Sequence, residues 1–115
     1  MSEFGSTNDC REDGLRLVAR LKERMTARRV SFCRTVLFGS RARGEGEAGS
    51  DVDVLVIVDE LDPGLRETIS YCAWEVGFEA GTVVQTVVRT RAQVEDGPER
   101  SSLLMLAVED EGILV

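Results

Sequence analysis

The chain has 115 residues, of which 43% are hydrophobic and 30% are charged, and its formal net charge at pH 7 is -7. This length suits one domain whose core needs no disulfides, and three cysteines without a CxxC pair or a histidine argue against a zinc site. The negative charge argues against general nucleic-acid binding. The sequence shows no apolar stretch long enough to span a membrane and no signal peptide, so we expect a cytoplasmic protein.

The first predicted element is a helix over residues 11–29. Apolar side chains recur at helical spacing along one side of it, at Leu17, Val18, Leu21 and Met25. Its C-terminal end is basic, which suits the negative end of the helix dipole. Residues 1–10 are polar and are predicted to be disordered, so the domain is expected to cover residues 11–115.

A strand, a polar segment and a second strand follow this helix. The first apolar run ends at Phe38, and the second begins within an Asp-Val-Asp sequence that starts at Asp51. We predict strands over residues 31–38 and 51–58, joined by a polar loop. Because side chains alternate along a strand, Asp51 and Asp53 lie on the same face, about 7 Å apart.

The two aspartates form a candidate metal site beside a candidate phosphate-binding turn. Adjacent carboxylates repel unless a cation neutralises them, and oxygen ligands suit magnesium, which also binds substrate phosphates. Gly39 lets the backbone approach an anion closely, and the hydroxyl of Ser40 can donate a hydrogen bond to a phosphate oxygen. Arg41 and Arg43 can add charge-assisted contacts to a triphosphate. A magnesium nucleotide is therefore the expected ligand.

This combination resembles the nucleotidyltransferase superfamily that includes DNA polymerase beta, and within it the small members called minimal nucleotidyltransferases. Their signature is Gly-Ser, about ten residues, and Asp-x-Asp, which Gly39, Ser40, Asp51 and Asp53 match, with Ser50 just before the first aspartate. The resemblance implies a polymerase beta-like fold, phosphate contacts from the Gly-Ser turn, and magnesium, in a one- or two-ion site, on the aspartates. Either motif alone would also suit a solvated loop.

The predicted third strand departs from the family pattern. Active members usually carry a third carboxylate on a later strand, but residues 82–89 contain no acid, and Gln85 and Thr86 lie near the expected position. A neutral amide cannot neutralise a cation or act as a base near pH 7. Acids on flanking elements are the alternative suppliers, namely Glu75, Glu79, Glu95 and Asp96. An active transferase and a binding or interaction module that has lost turnover are therefore both open.

The helix predicted over residues 63–80 has two apolar stripes. One is the expected core face and consists of Leu65, Ile69, Cys72, Ala73 and Val76. The second consists of Tyr71, Trp74 and Phe78 on nearly the opposite side. A surface helix needs only one buried side, so something must cover the second stripe. We favour the C-terminal helix of the same chain, and the alternative is a partner interface centred on Trp74.

The remaining sequence predicts a helical turn capped by Thr90, a helix over residues 99–111, and an apolar tail at 113–115 that pairs as an edge strand or enters a partner's groove. The element order predicts an α/β (α+β) fold, with a small mixed sheet and helices packed mainly on one face. The resemblance also implies ATP as the first candidate nucleotide and a helical HEPN-type partner in a toxin-antitoxin pair. It leaves homo-oligomerisation open.

Overall fold

The structure is a computed structural model that describes residues 7–44, 51–95 and 103–115. Its elements in chain order are α1 (Thr7–Ala27), β1 (Arg34–Phe38), α2 (Ser40–Arg43), β2 (Val52–Val58), α3 (Pro63–Ala80), β3 (Val84–Thr90), α4 (Arg91–Glu95), α5 (Leu103–Glu111) and β4 (Ile113–Leu114). The strands form one sheet in the order β3-β2-β1-β4, in which β2 and β3 are parallel and the other pairs antiparallel. This confirms the predicted α/β (α+β) class with a small mixed sheet.

The sheet has an apolar core on each face. On one face, alternate valines of β2 pack against α1 and α3, and all four of them are fully buried: Val52, Val54, Val56 and Val58. On the other face, Leu55 and Ile57 pack with Met105 and Val108 of α5. Each buried side chain of this size contributes about 1.5–3 kcal/mol. The two long helices thus share one face, as predicted, and α5 covers part of the other.

The predicted boundaries of α1 differ from the observed ones at both ends. The helix begins at Thr7, so Thr7 to Cys10 are helical rather than part of a disordered N-terminus, and residues 1–6 lie outside the described residues. Polar and acidic residues are favourable in the first turn of a helix. Apolar spacing cannot detect such a turn, because the turn contains few apolar residues. At the other end Arg29 adopts a left-handed φ of 64° and stops the helix after Ala27.

The prediction for α3 is correct at both ends. The side chain of Asp62 accepts a hydrogen bond from the backbone N–H of Leu65 at 2.8 Å, and Pro63 occupies the first turn. Gly81 ends the helix in a left-handed conformation with φ 74°. The cap at Thr90 is also confirmed, because its hydroxyl accepts the N–H of Gln93 at 3.1 Å.

The C-terminal segment returns to the sheet. The helix predicted over residues 99–111 is observed from Leu103, and its earlier part lies outside the described residues. After Gly112 the chain forms β4, which pairs antiparallel with β1. Of the two predicted alternatives for the apolar tail, an edge strand or a segment in a partner's groove, the structure shows the edge strand. None of the described helices combines the length and the hydropathy that a bilayer-spanning segment requires.

The second apolar stripe of α3 is largely exposed within the described part of the chain, although the guanidinium of Arg28 lies 4.8 Å from the ring centroid of Tyr71. Tyr71, Trp74 and Phe78 are 48%, 58% and 73% exposed. The prediction that the C-terminal helix covers them is wrong, because α5 packs on the opposite face of the sheet. Apolar spacing shows that α5 has a core face but cannot show which face of the sheet it joins.

Candidate functional site

The Gly-Ser turn and the first carboxylate motif meet at one end of the sheet. Antiparallel pairing sets Phe38, the last residue of β1, opposite Asp53 in β2. Gly39 follows with φ 82° and ψ -162°, a conformation that is essentially restricted to glycine. A Cβ atom at this position would collide with the Oδ2 atom of Asp53. Only glycine therefore lets the turn close against the carboxylate, which gives the motif a physical reason beyond phosphate binding.

The segment after Gly39 is a short helix rather than the predicted loop. Ser40 begins α2, which ends at Arg43, and Gly44 closes it with a left-handed φ of 75°. The N–H of Arg43 donates to the carbonyl oxygen of Gly39 at 3.2 Å. Four residues are too few to show the apolar periodicity of a helix, so the sequence pattern did not predict this one. The consequence is that the side chains after the turn have a fixed direction.

Asp51 and Asp53 differ in exposure, and the charge of Asp51 acts on the carboxyl of Asp53. Asp53 is half-buried and Asp51 is exposed. Burial, and then the charge of Asp51, raise the pKa of the Asp53 carboxyl, while the guanidinium of Arg43 works in the opposite direction. A hard divalent ion would remove this repulsion, so the residues present fit magnesium.

Gln85 takes the place at which a third carboxylate was sought. Parallel pairing sets it beside Asp53, and its amide Nε2 donates to Oδ2 of Asp51 at 3.1 Å. Thr86 pairs with Val54, whose side chain enters the core on the other face, so Thr86 is not part of the site. The amide orients the Asp51 carboxylate but adds no negative charge.

The acids proposed as substitutes do not join the aspartates. Glu75 and Glu79 form ion pairs with Arg24 of α1, and Glu95 lies 3.9 Å from Arg91. Asp96 lies outside the described residues. Among residues 7–44, 51–95 and 103–115, no group of three or more acidic, histidine or cysteine side chains is arranged to hold a metal. An ion here would have two carboxylate ligands and would take its other ligands from phosphate and water.

The two predicted arginines have different surroundings. The Nη1 atom of Arg43 lies 2.6 Å from a carboxylate oxygen of Glu111, at the end of α5. Arg41 is only 3% exposed and lines a cavity of about 340 Å³ that also borders Arg16 and Arg20 of α1. Glu111 is not among the predicted site residues, and no local pattern could reveal it because 68 positions separate it from Arg43. The remaining predicted contact, Ser50, lies outside the described residues.

A comparison with protein families identifies the family of this chain. The sequence model described as "Nucleotidyltransferase domain" matches residues 19–107, which is most of the chain. The chain belongs to the nucleotidyltransferase domain family. Among curated proteins, no significant sequence relative of this nucleotidyltransferase domain was found.

Solved structures share the fold of this nucleotidyltransferase domain. One, from Sulfolobus solfataricus and itself assigned as a nucleotidyltransferase, is 19% identical with a TM-score of 0.55, over 99% of this chain and 89% of that chain. A toxin-antitoxin solved with AMP-PNP is 21% identical with a TM-score of 0.56, over 88% and 70%. A mutant of the toxin-antitoxin MntA-HpeT is 19% identical with a TM-score of 0.56, over 88% and 70%. These identities establish similarity of fold alone.

The site of this nucleotidyltransferase domain therefore combines four kinds of group at one end of the sheet. It has a glycine turn, a hydroxyl on Ser40, a carboxylate pair, and the guanidinium of Arg43 near that pair. A hydroxyl and a guanidinium bind phosphate oxygens, and a carboxylate pair binds a hard cation. Among the described residues, Gln85 stands where the family resemblance places a third carboxylate, and its amide cannot act as a base.

Proposed function

We propose that this nucleotidyltransferase domain binds a magnesium nucleoside triphosphate, with ATP as the first candidate, and transfers its nucleoside monophosphate to a hydroxyl of a partner molecule. The observation that carries the proposal is the approach of Gly39 to the carboxylate of Asp53, which sets the phosphate-binding turn against the cation-binding pair. The two motifs are separated in sequence and adjacent in space, as a ligand that joins a triphosphate to a metal requires.

Each residue of the site has a separate task in this proposal. Asp51 and Asp53 hold magnesium, which neutralises phosphate charge when it is bound. The hydroxyl of Ser40 donates to a terminal phosphate oxygen, and Arg43 contributes positive charge. Ser50 is proposed as a further nucleotide contact on the family resemblance, as is Arg41. In the reaction, the acceptor oxygen forms a bond to the α-phosphorus, the bond to the β-phosphate oxygen breaks, pyrophosphate leaves, and the hydroxyl proton passes to a base.

The identity of that base distinguishes two candidate functions. Gln85 stands at the third-carboxylate position and cannot accept the proton, so the isolated domain should transfer slowly unless a partner supplies a base or a deprotonated acceptor. The same observation favours a second candidate function, a nucleotide-binding module without turnover. Both candidates require the aspartate pair, and only the first requires product.

The proposed partner is a helical HEPN-type protein, with this domain as the antitoxin that modifies or masks it. Support comes from two of the similar structures, which are toxin-antitoxin assemblies, one of them solved with AMP-PNP. Their likeness to this chain is one of fold, so the partner and the nucleotide are parts of the proposal. The cytoplasmic location stays a prediction.

A label-transfer experiment tests the proposed reaction. The chain is incubated with each nucleoside triphosphate labelled at the α-phosphate, with magnesium and with a lysate or a co-expressed partner. We expect a labelled protein product that disappears in the Asp51→Asn, Asp53→Asn double variant. Label that persists in the double variant contradicts the assigned metal site. Nucleotide binding without labelled product supports the second candidate.

Restoring the missing charge separates the two candidates further. Gln85→Glu places a carboxylate where the amide now contacts Asp51. We expect tighter binding of Mn²⁺ or Mg²⁺ and faster transfer, because a third carboxylate adds a metal ligand and a base. Gln93→Glu is the matched control, since it makes the same exchange at an exposed side chain that accepts the N–H of Thr90 and lies on α4 rather than beside the aspartates. Equal rates in the wild type and in Gln85→Glu would contradict this assignment of Gln85.

A further inference from the structure

The edge of the sheet at β3 is bordered by an exposed apolar surface. β3 is the outermost strand of the described sheet. On its outer side the C=O of Val88 accepts a hydrogen bond from Nη1 of Arg89 and the N–H of Thr90 donates to Oε1 of Gln93, both at 2.9 Å, while the backbone groups of Val84 and Thr86 face no further strand of that sheet. Beside it lies a groove of about 530 Å³ between α3 and the start of β3, bordered by Trp74, Phe78 and Val83. We refer to the strand edge, this groove and the exposed stripe of α3 together as the β3 surface.

The aromatic stripe of α3 is continuous with this groove. The rings of Tyr71, Trp74 and Phe78 stack in series, with centroids 6.0 Å and 5.2 Å apart. Along the flank of the stripe that faces α1, Glu75 and Glu79 form ion pairs with Arg24, and the guanidinium of Arg28 lies 4.8 Å from the ring centroid of Tyr71, so the open part of the stripe is centred on Trp74 and Phe78. Large exposed apolar surfaces of this kind mark interaction sites.

We propose that the β3 surface is the interface of a symmetric homodimer, in which β3 pairs antiparallel with β3 of a second copy. A two-fold interface requires one patch that complements itself. One arrangement of a second copy would cover both features: its β3 would pair with the open strand edge, and its α3 would pack against the aromatic stripe. An extended peptide would satisfy only the strand.

Charge favours a particular register for this pairing. Arg89 is the only charged residue of β3, whose sequence is VQTVVRT. When the pairing is centred on Val87, Arg89 of each copy lies opposite Gln85 of the other, with side chains about 5 Å apart at the Cβ atoms. The guanidinium of Arg89 donates to the C=O of Val88 at 2.9 Å within its own chain, and in the dimer it would exchange that bond for the side-chain oxygen of Gln85 in the other copy. The two Arg89 side chains are not opposed.

The exposed rings of α3 supply part of the area that a dimer interface needs. The three rings are 48%, 58% and 73% exposed, which corresponds to roughly 350 Å² of accessible ring surface. A stable interface needs about 800 Å² on each partner. Val83, which is 53% exposed and borders the groove beside the stripe, and Gln85, an exposed residue of β3, would add to this area.

Light scattering after size-exclusion chromatography tests the proposal on the full chain. We expect a dimer that dissociates on dilution, and a shift to monomer in Trp74→Glu. The matched control is Leu114→Glu, which places the same charge on a side chain that is 67% exposed at the opposite edge of the sheet. Circular dichroism should show both variants folded. A wild type that stays monomeric at every concentration, or a dimer that only the Leu114 substitution dissociates, overturns the proposal.

Cross-linking tests the register separately. In the pairing centred on Val87 this residue lies opposite its own copy, so Val87→Cys should form an intermolecular disulfide under mild oxidation. The background carries Cys10→Ser and Cys33→Ser, and Cys72 is buried. Leu114→Cys in the same background is the control and should remain uncross-linked. Failure of the Val87 variant to cross-link while the wild type is dimeric overturns this register.

Discussion

Gly39 and Asp53 set the geometry of the site at the scale of single residues. The glycine has a conformation closed to other residues, and its missing side chain leaves room for the carboxylate. The same closeness half-buries Asp53 and helps to raise its pKa. In the proposed site, the turn that would contact phosphate is therefore also the turn that lies against the carboxylate proposed to hold magnesium.

Gly39→Ala should cost stability through both effects. We expect a loss of about 2–3 kcal/mol in the free energy of unfolding, because the backbone is strained and the new methyl group meets Asp53. Gly81→Ala is the control, since it has φ 74° but nothing within 4 Å of the added Cβ, and should cost only about 1 kcal/mol. Urea denaturation measures both. Equal losses would mean that the contact with Asp53 contributes nothing.

Because the pKa of Asp53 is raised, we expect Asp53→Asn to increase the free energy of unfolding by an amount that depends on pH. The folded state holds the proton more tightly than the unfolded state, so ionisation of this group lowers stability as pH rises through the interval between the unfolded pKa and the raised folded pKa. Without metal, the variant should be more stable than the wild type at pH 7, and its advantage should vanish below the unfolded pKa of about 3.9.

Denaturation across this pH range in the presence of a chelator measures the effect of Asp53→Asn. Magnesium should reduce the difference between the two proteins, because only the wild type retains both carboxylates. Asp51→Asn is the control and should give a smaller gain, since burial is the larger cause of the shift. A gain that is the same at every pH, or a loss of stability at pH 7, would contradict this interpretation of Asp53.

At the scale of elements, caps decide where α3 begins and ends. Asp62 satisfies the N–H of Leu65, and Gly81 turns the chain toward β3. The crossover from β2 through α3 to β3 then makes these strands parallel and sets Gln85 beside Asp53. The helix boundaries thus help to fix which side chain stands at the third position of the site.

Removing the N-terminal cap should weaken this element. Asp62→Ala is expected to cost about 1 kcal/mol, because one backbone N–H loses its acceptor. Asp62→Asn should restore most of the loss, since asparagine caps as well as aspartate. Thermal and urea unfolding of the three proteins measure the effect. An Asn variant as unstable as the Ala variant would show that the charge, and not the hydrogen bond, matters.

Two further elements connect the site to the rest of the chain. The short helix α2 directs Arg43 toward Glu111 at the end of α5. α5 packs on the sheet face that carries Leu55 and Ile57. These two residues follow Asp53 at alternate positions of β2, so they lie on the same face as the aspartates. The C-terminal region therefore supports the side of the sheet that carries the candidate site.

At the scale of the whole molecule, ligand binding should stabilise the fold. A ligand at about 100 times its Kd adds about 2.7 kcal/mol to the free energy of unfolding. For a domain of this size that corresponds to a rise in Tm on the order of 10 °C. We expect this rise with ATP and magnesium together, and neither with ATP and chelator nor in the Asp51→Asn, Asp53→Asn variant. An equal rise in that variant would contradict the proposed binding site.

The sequence by itself determined the local features: the order of helices and strands, the caps of α3, and the spacing of Gly39 and Asp53. Local propensity and side-chain alternation act over a few residues, so a sequence displays them directly. Only the tertiary structure decided that Gln85 rather than Thr86 faces the aspartates, that Glu111 reaches Arg43, and that the aromatic stripe of α3 is left uncovered by α5. These contacts depend on strand register and on which sheet face a helix joins, and packing between distant segments sets both.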